Sequence, residues 1–365
     1  MEARRRAALA LSCLYAALDH PLRVPGAALR PEALWAMPDH RLAAVLRLSR
    51  RGQGLLAGFR RSYSHDEALE RLVRAGLSMV AIGDRDYPAR LAESHDPPVA
   101  LFLAGDPSRL KEFTGYPRIA IVGSRDATGY GRDAARHIAT GLSRNSVCVV
   151  SGMAFGIDTV AHQSALAEDG ATIAVLGCGP ETAYPRSSRR LYAQILERGL
   201  VVSEYPPGTE PRPWRFPARN RIIAGLTFGV VVVEAAAKSG ALITADFCLE
   251  QGGEVCAVPG SIFSRQSEGT NRLIREGAAS VSSAEDVMDA LGLDVPAPEK
   301  ENRDAGLEEL GEVEKRVMGV LGARPLPVDV IAGRAGTSAA AAVAALTALE
   351  LMGRVRFEPG RGYSA

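Results

Sequence analysis

Six short apolar runs set the terms for the middle of the chain: IAIVGS, VCVV, TIAVLG, LVVSE, VVVVE and EVCAVPG, all between residues 118 and 260. Each has the length of a strand. Between most of them lie stretches of helical period, such as GYGRDAARHIATGLSR and DTVAHQSALAED. Apolar strands alternating with helices imply a parallel sheet covered by helices on both faces. The pattern covers about 118 to 291 and makes the fold class α/β.

Ligands of such sheets bind at the carboxyl ends of the strands, so the residues at those tips matter most. Four consecutive valines (Val230–Val233) are closed by Glu234 and followed by Lys238-Ser239-Gly240; Phe216, Arg219, Asn220 and Arg221 precede them. At the tip of IAIV stands Gly123-Ser124-Arg125. Glycine lets a phosphate approach the backbone, serine donates a hydrogen bond and arginine grips phosphate in bidentate fashion. Ser151, Gly152 and Gly156 form a small-residue loop opening the next helix, a place that offers free N–H groups to anions. There is no Gly-Lys-Ser/Thr of a nucleotide-hydrolysing loop. Gly129-x-Gly131-x-x-Ala134 meets the loose dinucleotide fingerprint. It lies too far beyond the strand, though, and no ribose-binding carboxylate ends the second strand. Asp158 and His162, four apart, are expected to make a helix-fixing polar contact rather than a metal or acid–base pair, because no third ligand is in sight. Glu234 has two readings, a base or the group that organises nearby cations, and the second is expected. Glu204 is expected to pair in the same way.

Net charge is +1 for 365 residues, so a nucleic-acid ligand needs a local patch. One exists. From Tyr184 to Arg221 there are eight arginines against three glutamates, interleaved with Tyr184, Tyr192, Tyr205, Trp214 and Phe216. Cations tracking a backbone, with rings for bases, suit single-stranded nucleic acid; a solvated arginine face over core aromatics has the same composition. The five scattered cysteines show no zinc spacing and fit a reducing cytosol. The basic-then-apolar N-terminus is too short to span a bilayer and lacks a cleavage pattern, so a cytoplasmic helix and no membrane partner are expected.

Residues 1–100 read as a basic helical domain, with turns at Pro38 and Gly52 and an extended connector at DRDYPARL and HDPPVALFLAGD. Residues 101–293 hold the sheet, and 294–309 are a proline-rich, charged linker. Residues 310–365 give three helices, the third capped at Thr337 or Ser338, then a hairpin; this is winged-helix-like.

The segments SGMAFGID, TIAVLGCG, SEYPPG, FPARNRIIAGL, EAAAKSGALITA, AVPG and GTNRLIREGA follow one another in a known order. From Ile119 to about Leu291 the chain resembles the DNA-processing protein A family, also called Smf. The resemblance implies an extended Rossmann-like core that binds single-stranded DNA without hydrolysing nucleotide, between an N-terminal helical, SAM-like domain and a C-terminal winged-helix-like domain. It further implies protection of incoming strands in natural transformation, loading of RecA recombinase, and a homodimer joined through the Rossmann-like domain. Carried over, Gly123, Ser124 and Arg125 form the phosphate grip and Phe216 contacts a base. Arg219, Asn220 and Arg221 are the family's RNR, and Lys238 with Ser239 its KSG. Some members carry a lysine where this chain has Pro213, with Arg212 and Arg215 as the candidates to replace it. No catalytic residue, cofactor or metal is implied. The alternative is an enzyme like the nucleotide phosphoribohydrolases of the lysine-decarboxylase-like group, which share the layout. Their PGGxGT loop is replaced here by AAAKSGALIT, which counts against it.

Overall fold

Among the described residues nine strands build one sheet: β1 (Ser78–Ala81), β2 (Ala100–Ala104), β3 (Arg118–Val122), β4 (Cys148–Ser151), β5 (Thr172–Leu176), β6 (Leu200–Ser203), β7 (Gly229–Val232), β8 (Glu254–Ala257) and β9 (Ala279–Ser280). The structure is a computed structural model and describes residues 2–18, 30–293, 311–322, 325–351, 354–358 and 362–364. The order across the sheet is β1-β2-β6-β5-β4-β3-β7-β8-β9. The six apolar runs are β3 to β8, all parallel to their neighbours among these six. All but Glu254 are buried, as expected where helices cover both faces.

The connector reading fails at one point. HDPPVALFLAGD is not merely extended: it contains β2, which pairs antiparallel with β6 and with β1. All five β2 residues are buried, and Phe102 lies fully inside among Leu9, Leu176 and Val201. The sheet therefore begins at Ser78, well before residue 101. DRDYPARL likewise runs into a short helix, Ala89–Ala92.

The N-terminal part is helical, as its period implies. Helices Glu2–Leu18, Pro31–Ala36, Asp39–Val45 and Arg50–Ser62 close over Leu11, Leu14, Leu34, Leu42 and Leu56. Pro38 does stand at a helix start. Gly52 marks no turn; it sits in the first turn of Arg50–Ser62, where its N–H donates to the capping Ser49 Oγ at 3.3 Å. No single helix among the described residues is long and apolar enough to cross a membrane.

Residues 1–295 and 296–365 form two separate compact units. In the second, helices Glu312–Val320, Val328–Ala335 and Ala339–Leu351 pack around Val317, Ile331, Leu346 and Leu349. Gly336 turns the chain between the last two helices in the left-handed region, and Ser338 Oγ accepts from Ala341 N at 3.2 Å, so Ser338 is the cap. Strands β10 (Arg356–Glu358) and β11 (Gly362–Ser364) pair as the expected hairpin, with Leu326 bridged to Tyr363. The linker read at 294–309 lies outside the described residues.

Removing the ring of Phe102 tests whether β2 belongs to the core. Phe102→Ala should lower the unfolding free energy by about 3–5 kcal/mol. Urea titration reads it, and a loss below about 1 kcal/mol, less than core truncations give, would place β2 outside the core.

Candidate functional site

β3 is where the sheet changes direction. From it β4, β5 and β6 run to one side, β7 and β8 to the other. A switch point of this kind leaves a crevice beyond the carboxyl ends of the two strands that diverge. Here β3 and β7 end level, with Val122 opposite Val232, and a cleft of about 730 Å3 opens above them.

One wall follows β3. Gly123, Ser124, Arg125 and Asp126 line it, and the loop is fixed by Ser124 N–H donating to the Glu234 carbonyl at 2.7 Å. Ser124 Oγ accepts from Asp126 N at 3.1 Å, which sets the turn. Arg125 is exposed and makes no hydrogen bond or ion pair with the described residues; its guanidinium lies 5.6 Å from the centre of the Phe216 ring. The opposite wall follows β7. Ala236, Ala237, Lys238 and Ser239 line it, Lys238 is exposed and unpaired among the described residues, and Ser239 caps the helix Gly240–Glu250. Phe216 is half-buried and stacks on Tyr184 at 5.1 Å and 23°. Its ring therefore stands in a fixed orientation beside the Arg125 cation.

Arg219 forms the floor. It is 4% exposed, and its Nη1 donates to the Gly152 carbonyl at 2.8 Å and to the Val175 carbonyl. A side chain at residue 152 would put a Cβ 2.5 Å from this guanidinium, so glycine is required there. Burial lowers the Arg219 pKa to about 10, with Asp158 opposing, so the group remains charged near neutrality. Burial likewise raises the Asp158 pKa, opposed by Arg219 and by the N–H groups of Ala154 and Gly152. Asn220 bridges Arg219 Nε and the Gly240 carbonyl, tying the floor to the Lys238 wall.

Arg221 does not join them. It faces a separate cavity of about 340 Å3 with Tyr15, Trp214 and Phe247. There it makes a bidentate pair with Glu204, at 3.0 and 2.7 Å, and a 3.1 Å bond to Asp96. Burial works against its charge, but the two carboxylates outweigh it and hold the pKa above the ordinary arginine value. Glu204 thus pairs as expected. Glu234 does not organise the cations. Its buried carboxylate accepts from Thr128 N and Oγ at 2.9 and 2.6 Å, away from the cleft. Gly131 exists for this contact, since a Cβ there would lie 2.2 Å from the carboxylate. The apparent dinucleotide glycine is thus room for a helix-start clamp.

The arginine–aromatic stretch divides in the same way. Arg215 is buried against Tyr205 and Trp214, and with Arg212 it lines a cavity near the N-terminal helix. Neither faces the cleft in the place of the missing lysine. A cation not singled out in the sequence does line the cleft: Arg265, exposed, on the loop after β8. Beside it Gln266 donates to the Asp126 carbonyl at 3.0 Å and accepts from Ser124 Oγ at 3.3 Å. The rule that led to Arg125 and Lys238, looking past each strand tip, also leads to Arg265. Asp126 and Glu268 add negative charge at the rim. Asp158 and His162 do not contact each other. His162 Nδ1 bonds Thr172 Oγ1 at 2.8 Å, and that hydroxyl donates to the Val149 carbonyl, so the ring nitrogen is the donor. Among the described residues no His, Cys, Asp and Glu cluster suited to a metal is formed.

A switch-point cleft lined by exposed cations and a half-buried aromatic ring defines an α/β protein of Rossmann-like layout. Comparison with known proteins makes the class specific. Residues 78–292 match the sequence profile of DNA recombination-mediator protein A, and residues 301–361 that of the DprA winged helix domain. The chain is 41% identical over 282 residues to Protein Smf of Escherichia coli K12, covering 76% of this chain and 74% of that protein. It is 46% identical over 208 residues to DNA processing protein DprA of Streptococcus pneumoniae R6, covering 57% and 72%. The X-ray structure of the Streptococcus pneumoniae DprA aligns with a TM-score of 0.63 at 37% identity, over 70% of this chain and 87% of that one. The structure reporting the single-stranded DNA binding mode of DNA processing protein A from Helicobacter pylori aligns at 0.53 and 28%, over 59% and 95%. The chain belongs to the DNA recombination-mediator protein A family, that of the DprA and Smf DNA-processing proteins.

The buried His162 gives the site's surroundings a pH signature. Burial, with Arg219 nearby, lowers its pKa from 6.5 to about 3. Between those values the unfolded chain binds a proton that the folded chain refuses, so stability rises with pH and is lost as pH falls below about 6.5. The slope from this group approaches about 1.4 kcal/mol per pH unit. Urea midpoints measured from pH 7 to pH 5 should show a shallower decline for His162→Gln than for the parent, and equal declines would refute it.

Proposed function

We propose that this protein binds single-stranded DNA across the cleft between the β3 and β7 tips. The reading rests on one observation: Arg125, Lys238 and Arg265 stand exposed and unpaired among the described residues around the half-buried Phe216. Phosphates lie on the three cations and on the loop at Gly123 and Ser124, and a base stacks on Phe216. Ser239 holds the Lys238 turn. Arg219 and Asn220 shape the floor, and Arg221 supports the fold from the far side. A strand suits the cleft better than a reacting nucleotide, because its buried carboxylate, Asp158, accepts from two backbone N–H groups, with the Arg219 charge close by.

Within that reading the protein acts in the cytoplasm as a homodimer joined through its Rossmann-like domain. It protects incoming strands during natural transformation and loads RecA recombinase onto them, without chemistry of its own. Two clefts on one strand multiply affinity through effective concentration. The family and the reported single-stranded DNA binding of the Helicobacter pylori relative support the reading.

Phosphate contacts make binding fall with salt, with a slope of about −0.7 per neutralised phosphate on single strands. Arg125→Ala and Lys238→Ala should each weaken binding and flatten that slope by about 0.7, in anisotropy titrations on labelled oligothymidylate. Unchanged slopes in both variants would sink the assignment. Phe216→Ala should cost about 1–3 kcal/mol of affinity with the slope retained; affinity equal to the parent's would remove Phe216 from the base contact.

A further inference from the structure

Next to the cleft the loop after β8 carries two apolar side chains outside the core. Ile262 is 81% exposed and Phe263 91%, whereas the next most exposed large apolar side chain among the described residues, Val73, is at 69%. The tip is built to stay in place. Gly260 exchanges hydrogen bonds with the Asn271 side chain at 3.2 and 3.0 Å, and Tyr130 Oη donates to the Pro259 carbonyl at 2.6 Å. Phe263 N–H donates to Ser261 Oγ at 3.2 Å, and Ser264 N–H to the Ser261 carbonyl at 3.0 Å. A loop pinned at its base, holding an isoleucine and a phenylalanine in water, marks a contact surface.

The neighbouring residues say what the surface meets. Arg265, two positions on, lines the cleft, and Gln266 ties this loop to the Arg125 wall. The tip is thus continuous with the cationic cleft. It also repeats the cleft's chemistry, an aromatic ring close in the chain to an unpaired cation, as Phe216 lies beside Arg125. A ring gives a base a stacking platform and the cation takes the adjoining phosphate. We infer that a single strand leaving the cleft over Arg265 continues onto this tip, where Phe263 stacks a second base and Ile262 packs against the same nucleotide. The inference rests on the proposed single-strand reading of the cleft.

The test uses the full chain with labelled oligothymidylate and a matching probe carrying abasic sites. Phe263 supports no fold contact of weight, so Phe263→Ala keeps the structure. Its affinity for oligothymidylate should fall about tenfold, within the range for loss of one stacked base, with the salt slope unchanged because no charge is removed. On the abasic probe parent and variant should bind alike. Phe263→Trp should retain affinity and lose indole fluorescence on binding. Equal affinity of Phe263→Ala and parent for oligothymidylate overturns the inference. So does a loss that appears only alongside a change of oligomeric state in light scattering, which would make the tip a protein contact. If Arg125→Ala weakens binding while Phe263→Ala does not, the tip inference alone fails; if neither matters, the cleft reading fails as well.

Discussion

A buried guanidinium holds the cleft in shape. Arg219 bonds the Gly152 carbonyl just past β4 and the Val175 carbonyl within β5, with Asp158 close by. Burying a charge is costly unless its partners are good; here Nη1 meets two carbonyls while Nε donates to Asn220 Oδ1, so one planar group holds three partners. The contact ties the helix Arg215–Leu226 to the tips of two parallel strands. Phe216, less than one turn earlier on that helix, is held beside Arg125 as a result. The residues that would touch a ligand are positioned by one that is almost wholly hidden from it.

Around this anchor the loops support one another through the backbone. The β3 loop hangs on the Glu234 carbonyl, and the β8 loop hangs on the β3 loop through Gln266. The Glu234 carboxylate turns the other way and clamps the start of the helix Gly129–Arg144. A single residue thus serves both sides of the β7 tip, its carbonyl the cleft and its side chain the helix layer.

The parallel strands were legible because a strand buried on both faces must be apolar throughout, and IAIV, VCVV and GVVV have no other plausible home. β2 was not, although ALFLA is equally apolar. Two prolines precede it, and its pairing partner β6 lies about a hundred residues away, so only the tertiary structure reveals it as a strand. Of the candidate site, Gly123 to Arg125, Phe216, Arg219, Asn220, Lys238 and Ser239 line one cleft, and Arg221 does not. The Arg-Asn-Arg triplet divides between two places for a geometric reason. Consecutive side chains on a helix point about 100° apart, so Arg219 goes inward, Asn220 toward Gly240 and Arg221 to a cavity on another side. The arginine–aromatic stretch likewise mixed residues that stabilise the core with residues free to meet a ligand. Composition cannot separate those two uses; burial does.

Arg125, Lys238 and Arg265 come from three different loops, and none donates a hydrogen bond or joins an ion pair with the described residues. The exposed charge at the rim of the cleft and the integrity of the fold are therefore set by different side chains. If the cleft holds the proposed strand, a lineage can strengthen, weaken or relocate that hold by single substitutions at these tips without endangering folding, while Arg219, Gly152 and Gly131 stay locked. Variation among relatives should concentrate accordingly, free at the rim and frozen one layer beneath it.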